Sequence, residues 1–464
     1  MKLWATVIEI LGALRPAFGR ARTFLWFSVV VLGFCTRSDL AGVSSFIRAL
    51  ALHERYYERL LGLFHSSAVH LEKLTRFWTK LVLTTLPVCS VKGRLVLVAD
   101  GIKIPKEGRK MPAVKLLHQN SQSNSKAEYI MGHSLQAISA LVEAGAHTVS
   151  VPLTARIHEG IVLSNRWTKT ILDKLLALLA FLELDPCYLV ADAYYATGKM
   201  VRGALAQGHH LITCAHNNAV AYEPPAPARS KARGRKKKYG KKVELKRILA
   251  TAELFDVIPS TIYDDINVML RVRCLDLIWK PAGQLMRFVF VIHPTRANIM
   301  LMSSDLTLSP AEIVRLYALR FKIELGFKHA CRTIGVYSYH FWSRAMRRIR
   351  RRSGDQYLHR SPKKVRTQIL HKLRAYHLFI QTGIIAHGIL VWLSVTESTL
   401  VWRSFGSWLR TIRPGIPPSE QVVMLALSNT LMHFLAAAHK PCDLQKFIRR
   451  RLDPQRSRLF RLAA

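Results

Sequence analysis

Two segments of this chain end in the same way. Arg94-Leu95-Val96-Leu97-Val98-Ala99 runs into Asp100-Gly101, and Cys187-Tyr188-Leu189-Val190-Ala191 runs into Asp192-Ala193. Each is a short, almost unbroken apolar run, so each predicts a strand covered on both faces. Strands of that kind belong to parallel sheets. In open α/β sheets, functional groups collect at the carboxyl ends of strands. A lone Asp in such a place is an ordinary turn or helix cap. Two in matching contexts, 92 residues apart in sequence, predict a pair that folding brings together across neighbouring strands.

The stretch between them supports an α/β unit. Residues 132–142 and 147–157 read as strands and 165–184 as an amphipathic helix. After Asp192 come a short helix at 198–206 and a strand at 210–215. The predicted order is strand-strand-strand-helix-strand-helix-strand, with an Asp ending the first and fourth strands.

A third acid lies on a helix about two-thirds of the way along. Ser309-Pro310-Ala311-Glu312 supplies an N-cap, a Pro at the first helical position and a Glu at the third. No other Pro or Gly follows until Gly326, so one helix is expected through Lys328. At about 100° per residue, Tyr317, Arg320, Glu324 and Lys328 share one narrow arc, while Leu319, Ile323 and Ala330 point away. A single carboxylate among cations suits a group that stays ionised beside bound metal and phosphate. An ordinary amphipathic helix with intrahelical ion pairs is the alternative.

Composition narrows the partner. The 464 residues carry 69 Lys and Arg against 29 Asp and Glu, a net charge of +40. That excess points to a large polyanion, nucleic acid ahead of an anionic membrane surface. After Pro224, Pro225 and Pro227, residues 229–242 hold Arg235, Lys236, Lys237 and Lys238 in a run of one sign. Such a run cannot fold by itself and suits phosphate-backbone contact. A second basic cluster follows at 344–352, and an Arg-rich tail at 449–461. Seven scattered Cys without a Cys-x-x-Cys pair predict a reducing interior, with neither disulfides nor structural zinc. The apolar runs 24–35 and 376–394 read as buried core helices, the first too short to span a bilayer and the second interrupted by polar residues. The expected location is cytoplasmic and nucleoid-associated, with no membrane partner.

With Asp100, Asp192 and Glu324 as a candidate triad, the sequence resembles the DDE transposases of bacterial insertion sequences. The branch in question has a β-rich insertion before the last acid and a Tyr-x2-Arg-x3-Glu-x6-Lys signature around it. The matching segments are Val98-Ala99-Asp100-Gly101-Ile102-Lys103, Gly132-His133-Ser134, Val190-Ala191-Asp192-Ala193-Tyr194-Tyr195, Ser304-Asp305-Leu306-Thr307-Leu308-Ser309 and Tyr317/Arg320/Glu324. Together they cover most of the chain. One departure stands out: the signature Lys falls on Cys331, and Lys328 is the nearest substitute on the same face, ahead of Arg332.

The resemblance implies an RNase H-like catalytic core in an α/β fold. It places a small all-helical domain at 1–88, expected to bind DNA or else only to pack. The first part of the core follows at 89–218, and the basic loop with the β-rich insertion at 219–305. The catalytic helix region would lie at 306–345, and basic helices at 346–464. It further implies that Asp100, Asp192 and Glu324 hold two Mg²⁺ ions, with Mn²⁺ able to substitute. Water would nick the element end, and the freed 3′-hydroxyl would attack target DNA. Tyr317 and Arg320 would grip phosphates near the cleaved end. The implied partners are double-stranded DNA, as terminal inverted repeats and as target, and a second copy of the chain on that DNA. Ala196-Thr197-Gly198-Lys199-Met200 lacks the rest of a P-loop, so no ATP requirement is expected. Two rivals remain: an RNase H-like nuclease that cuts without joining, and an inactive transposase-derived DNA-binding protein.

Overall fold

The computed structural model describes residues 2–119, 127–166, 169–226, 237–262, 265–408, 411–413, 415–436 and 441–455. In chain order the elements used below are helices α1 (Ala21–Thr36) and α2 (Leu71–Thr85), then strands β1 (Arg94–Pro105), β2 (Tyr129–Ala144) and β3 (His147–Ile157). Helix α3 (Ile171–Phe181), strand β4 (Cys187–Ala191), helix α4 (Gly198–Leu205) and strand β5 (His210–Cys214) follow. Three long strands come next, β6 (Met269–Trp279), β7 (Gln284–Ile292) and β8 (Ile299–Ser303). Helices α5 (Pro310–Leu319), α6 (Phe321–His329), α7 (Lys363–Thr396) and α8 (Glu420–Ala436) complete the set. The predicted strands and helices around the two Asp residues are all present, with two further short strands, Lys115–His118 and Ile161–Val162, among them.

By packing, the chain falls into two units. One comprises 1–88, 101–168 and 324–464; the other comprises 89–100 and 169–323. Each unit is discontinuous in sequence because strand pairing joins residues far apart along the chain. In the second unit β1 pairs parallel with β4 and β4 parallel with β5. Then β8 pairs antiparallel with β5, β7 with β8, and β6 with β7. The β-rich insertion is therefore no separate body: its three strands extend the edge that β5 would otherwise leave open. In the first unit β2 and β3 form a long antiparallel pair. The last part of β1 joins it, with the Lys106 amide donating to the Met131 carbonyl at 2.9 Å. The runs β1-β2-β3 and β1-β4-β5 are the five strands of an RNase H-like core with helices at both termini.

Local details depart from expectation where backbone geometry overrides pattern. β1 does not stop at Asp100; Gly101 sits within the strand, which continues to Pro105. Within 1–88, the apolar residues at helical spacing over 40–63 form two helices, Gly42–Ala49 and Tyr57–Leu63, with Ala51 between them in the left-handed region at φ 48°. The helix expected through 328 is interrupted at Arg320. There the Arg320 amide bonds to the Tyr317 carbonyl at 3.0 Å and the Ile323 amide to the Arg320 carbonyl at 3.2 Å, a tightened turn between α5 and α6. A π-turn, Ala330–Ile334, then ends α6 at Gly335.

The first unit is built around α7. It is long and apolar enough to cross a membrane, yet 94% of its most apolar stretch is buried inside the protein. It packs on β3 and α1, and Gly388 lets the Trp78 indole approach where any Cβ would collide. The buried Gln381 is satisfied on both sides, donating to the Leu153 carbonyl at 3.0 Å and accepting from Arg156 at 3.0 Å.

Helix α6 is fastened at its end. Glu420, at the start of α8, lies 3.2 Å from His387 Nε2 on α7 and 3.4 Å from His329 Nδ1 on α6. Burial pushes the Glu420 carboxyl up, but the His387 hydrogen bond and the two neighbouring imidazoles outweigh it and hold it below the usual glutamate value. A depressed carboxyl stabilises the fold above its unfolded pKa of about 4.3 and loses that contribution as pH falls through the folded value. Glu420→Gln is therefore expected to lower stability at pH 7 by about 1–3 kcal/mol. It should also flatten the loss of stability on acidification below about pH 4.3, measured by thermal unfolding at a series of pH values.

Candidate active site

The β1–β4 register places Ala99 opposite Ala191. Asp100 and Asp192 are the next residues on each strand, so two carboxylates leave adjacent parallel strands at the same level. Both strands are apolar up to that point because both faces are buried: Val96, Leu97, Val98, Leu189 and Val190 are almost wholly inaccessible. Asp192 also performs the cap role that a turn Asp ordinarily has. Its Oδ1 accepts from the Tyr194 amide at 3.0 Å, and its backbone carbonyl accepts from Thr213 Oγ1 at 2.6 Å. Capping engages one oxygen of the carboxylate and orients the other.

Helix α5 brings the next two predicted residues to the same place. Ser309 and Glu312 form the expected capping box, with the Ser309 amide donating to Glu312 Oε2 at 2.7 Å and Ser309 Oγ accepting from the Glu312 amide at 3.3 Å. Ile313, Val314, Leu316 and Leu319 bury the opposite face. Arg320 follows at the C-cap, and its Nη1 lies 3.5 Å from Asp100 Oδ2, with both side chains mostly screened from solvent. Its guanidinium sits 5.9 Å from the centre of the Tyr317 ring. Burial pushes the Tyr317 hydroxyl pKa upward, with the nearby Cys214 thiol contributing, so Tyr317 stays a neutral donor. Cys214, at the end of β5, is itself pushed up by burial and is not a thiolate nucleophile. In the sequence it stands near His216, too few ligands for a metal site, and reads as a buried strand Cys.

One patch thus gathers Asp100, midway along β1, with Asp192, Tyr317, Arg320 and Cys214 beside the carboxyl ends of β4 and β5. Glu324 and Lys328 lie on α6, past the boundary at residue 323, and both are exposed. Lys237 and Lys238 are exposed too. Arg235 and Lys236 fall outside the described residues. Cys331, in the signature Lys position, is mostly buried in the π-turn, and its thiol is pushed up to about 11 by burial. Among the described residues no three His, Cys, Asp or Glu side chains are close enough to hold a metal ion together. The Asp100–Asp192 pair alone supplies hard carboxylate oxygens of the kind Mg²⁺ takes, and Mg²⁺ is commonly held by one or two carboxylates with water and phosphate oxygens.

Comparison with known proteins decides the family. The sequence model described as DDE superfamily endonuclease matches residues 13–255, just over half of the chain. The chain belongs to the DDE superfamily endonucleases. Asp100 and Asp192 lie within the matched residues; Tyr317, Arg320 and Glu324 lie beyond them. None of the curated proteins matches this endonuclease-family chain. Among solved structures, it is similar to the piggyBac transposase in a cryo-EM synaptic complex with hairpin DNA. That likeness has 11% identity over 93% of this chain and 76% of the other, with a TM-score of 0.37.

The cap of α5 sets where Tyr317 and Arg320 stand. Ser309→Ala should cost about 1 kcal/mol, read as a lower denaturation midpoint with unchanged slope. Ser309→Asp should keep most of that stability.

Proposed function

We propose that this endonuclease-family chain is a transposase that cuts DNA at element ends and joins the freed 3′-hydroxyl to target DNA. Its acids would be Asp100, Asp192 and Glu324. The observation that carries the reading is the register-matched pair Asp100 and Asp192, with the Arg320 guanidinium beside Asp100. Glu324 is the third acid by its place four residues after Arg320 in a Tyr-x2-Arg-x3-Glu spacing.

Asp100 and Asp192, the carboxylates that stand together, would hold divalent Mg²⁺ with water and phosphate oxygens, Glu324 being assigned by the spacing alone. A divalent pair in such a setting activates the attacking oxygen and stabilises the leaving one in an in-line displacement at phosphorus. The chain's own groups supply the rest. Arg320 donates to non-bridging phosphate oxygens and offsets the charge that two neighbouring carboxylates build up. The neutral Tyr317 hydroxyl donates one further hydrogen bond to the same phosphate. The Thr213 and Tyr194 contacts keep Asp192 from swinging away when a phosphate approaches. Lys328, one turn after Glu324 on α6, stands in for the signature Lys, whose position Cys331 occupies. Double-stranded DNA is the substrate, a homodimer on two ends is the working form, and the excess of 40 positive charges drives association through counterion release.

The test is a pair of reactions with Mg²⁺: nicking of supercoiled plasmid, and joining of a labelled duplex whose end is taken from the DNA flanking the reading frame. Asp100→Asn, Asp192→Asn and Glu324→Gln are each expected to abolish both reactions while leaving duplex binding within about twofold. Full cleavage by any one variant removes that residue from the site. Nicking without any joined product would instead make the protein a plain nuclease.

The exposed Lys237 and Lys238 are assigned to the duplex backbone. Replacing both with Ser should reduce the salt slope of duplex binding by about 2, at roughly 0.9 per phosphate contact. An unchanged slope would place them away from DNA.

A further inference from the structure

Below its active-site end, β1 leads into a surface built from two cationic loops of the first unit. One is the segment 105–111 that follows β1; the other is 340–353 between α6 and α7. Two adjoining cavities, about 760 and 670 Å³, share Pro105, Lys106, Glu107 and Arg109 in their walls. The first also takes Tyr129 and Arg350, Arg351 and Arg352; the second takes Trp342 and Arg348.

The loops are pinned together. The Ser343 amide donates to the Lys110 carbonyl and the Ile349 amide to the Arg109 carbonyl, both at 2.9 Å. Lys106 is buried, and its Nζ donates to the carbonyls of Tyr337 at 2.6 Å and Tyr339 at 2.8 Å. His133 closes the base of the arrangement. Its Nε2–H donates to the Pro112 carbonyl at 2.8 Å, which leaves Nδ1 to accept from the Tyr339 hydroxyl at 2.7 Å. Met346 and Ile349, the apolar residues within the Arg run, insert into a small core with Leu358 and Ile369. That inward anchoring turns the arginines out. The acid nearest in sequence to the Arg run, Asp355, is already paired with Lys115 at 2.9 Å, and the one acid in the cavity walls is Glu107.

Two large aromatic side chains stand open among these cations: Trp342 is 56% and Tyr129 52% exposed. Two open rings lining adjoining cationic cavities make a stacking surface beside phosphate-binding groups. A duplex offers only its grooves and backbone, with base faces hidden in the stack. A strand with unpaired bases offers both phosphates for the arginines and π-faces for the rings. We infer that this groove binds a single-stranded DNA segment, with Trp342 and Tyr129 as stacking platforms and Arg350–Arg352 on its phosphates. The inference rests on the reading of the chain as a DNA-handling enzyme and extends it to unpaired DNA.

The experiment measures fluorescence-anisotropy binding of the full-length Asp100→Asn chain, without divalent cation, to labelled (dT)20 and to a 20-base-pair duplex. Trp342→Ala and Tyr129→Ala should each weaken (dT)20 binding at least about fivefold and leave duplex binding within twofold. Trp342→Phe should restore most of the loss. Replacing Arg350, Arg351 and Arg352 together with Ser should lower the (dT)20 salt slope by about 2, at roughly 0.7 per single-strand contact. Equal weakening for both DNAs, or no change for either, overturns the inference. So does Trp342-dependent binding to phosphatidylserine vesicles without an effect on (dT)20. Because Asp100→Asn is used throughout, cleavage plays no part in the readout. If that variant still cuts in the Mg²⁺ assay, the proposed function fails on its own, and a null result here leaves that function intact.

Discussion

The parallel pairing of β1 with β4 is the constraint on which the catalytic reading depends. Both strands are apolar to the residue before the acid, so burial on both faces fixes which way each side chain points. A slip of one residue would turn every side chain of β1 to the opposite face and break a register that five consecutive pairs, Leu95↔Cys187 to Ala99↔Ala191, hold in place. Two carboxylates at one level repel each other, and that cost is met locally. Arg320 lies against Asp100, and the Tyr194 amide bonds to Asp192. Stable packing of apolar strands therefore delivers two carboxylates to one level, each with a donor beside it.

What could be read in advance followed from short-range pattern. The apolar runs ending in Asp marked β1 and β4, and the capping box at Ser309 marked the start of α5, because strand burial and helix capping are written in neighbouring residues. Three things were not so written. Asp100 was expected at a strand end, but β1 carries on past Gly101, since its far half finds a partner in β2 around Met131, a residue with no sequence mark of that role. The single helix expected from Ser309 divides at Arg320, where the pull of a salt bridge to Asp100 accompanies a tightened turn that propensity alone does not foresee. The insertion strands, expected as a distinct segment, continue the sheet from β5, which only strand pairing reveals.

The basic groove illustrates the same division. Composition exposed the Arg cluster at 344–352 but not its form. Its rigidity comes from backbone bonds to Arg109 and Lys110, more than 230 positions earlier, and from two apolar residues, Met346 and Ile349, that read as interruptions of a charge run. Trp342 likewise looks like one more aromatic in the sequence. Its exposure, and its position beside Arg348, are consequences of tertiary structure alone.

A chain with 69 cations and 29 acids also meets a problem inside its first unit, where buried cations outrun carboxylates. The solution recurs three times. Arg37 gives its guanidinium to the Ile334 and Gly335 carbonyls at 3.0 Å and stacks near Phe34 and Phe46. Arg156 uses Thr75 Oγ1, Thr154 Oγ1 and Gln381, and Lys106 uses two carbonyls. Burial lowers all three, to about 9, about 10 and about 8, because neutral oxygens compensate desolvation less well than an ion pair does. The placement has a consequence for the catalytic helix. Arg37 holds the π-turn that ends α6, and the half-buried Glu420 lies 3.4 Å from His329 at the end of the same helix. The helix carrying Glu324 is thus secured at its C-terminal end by one borrowed cation and one scarce anion.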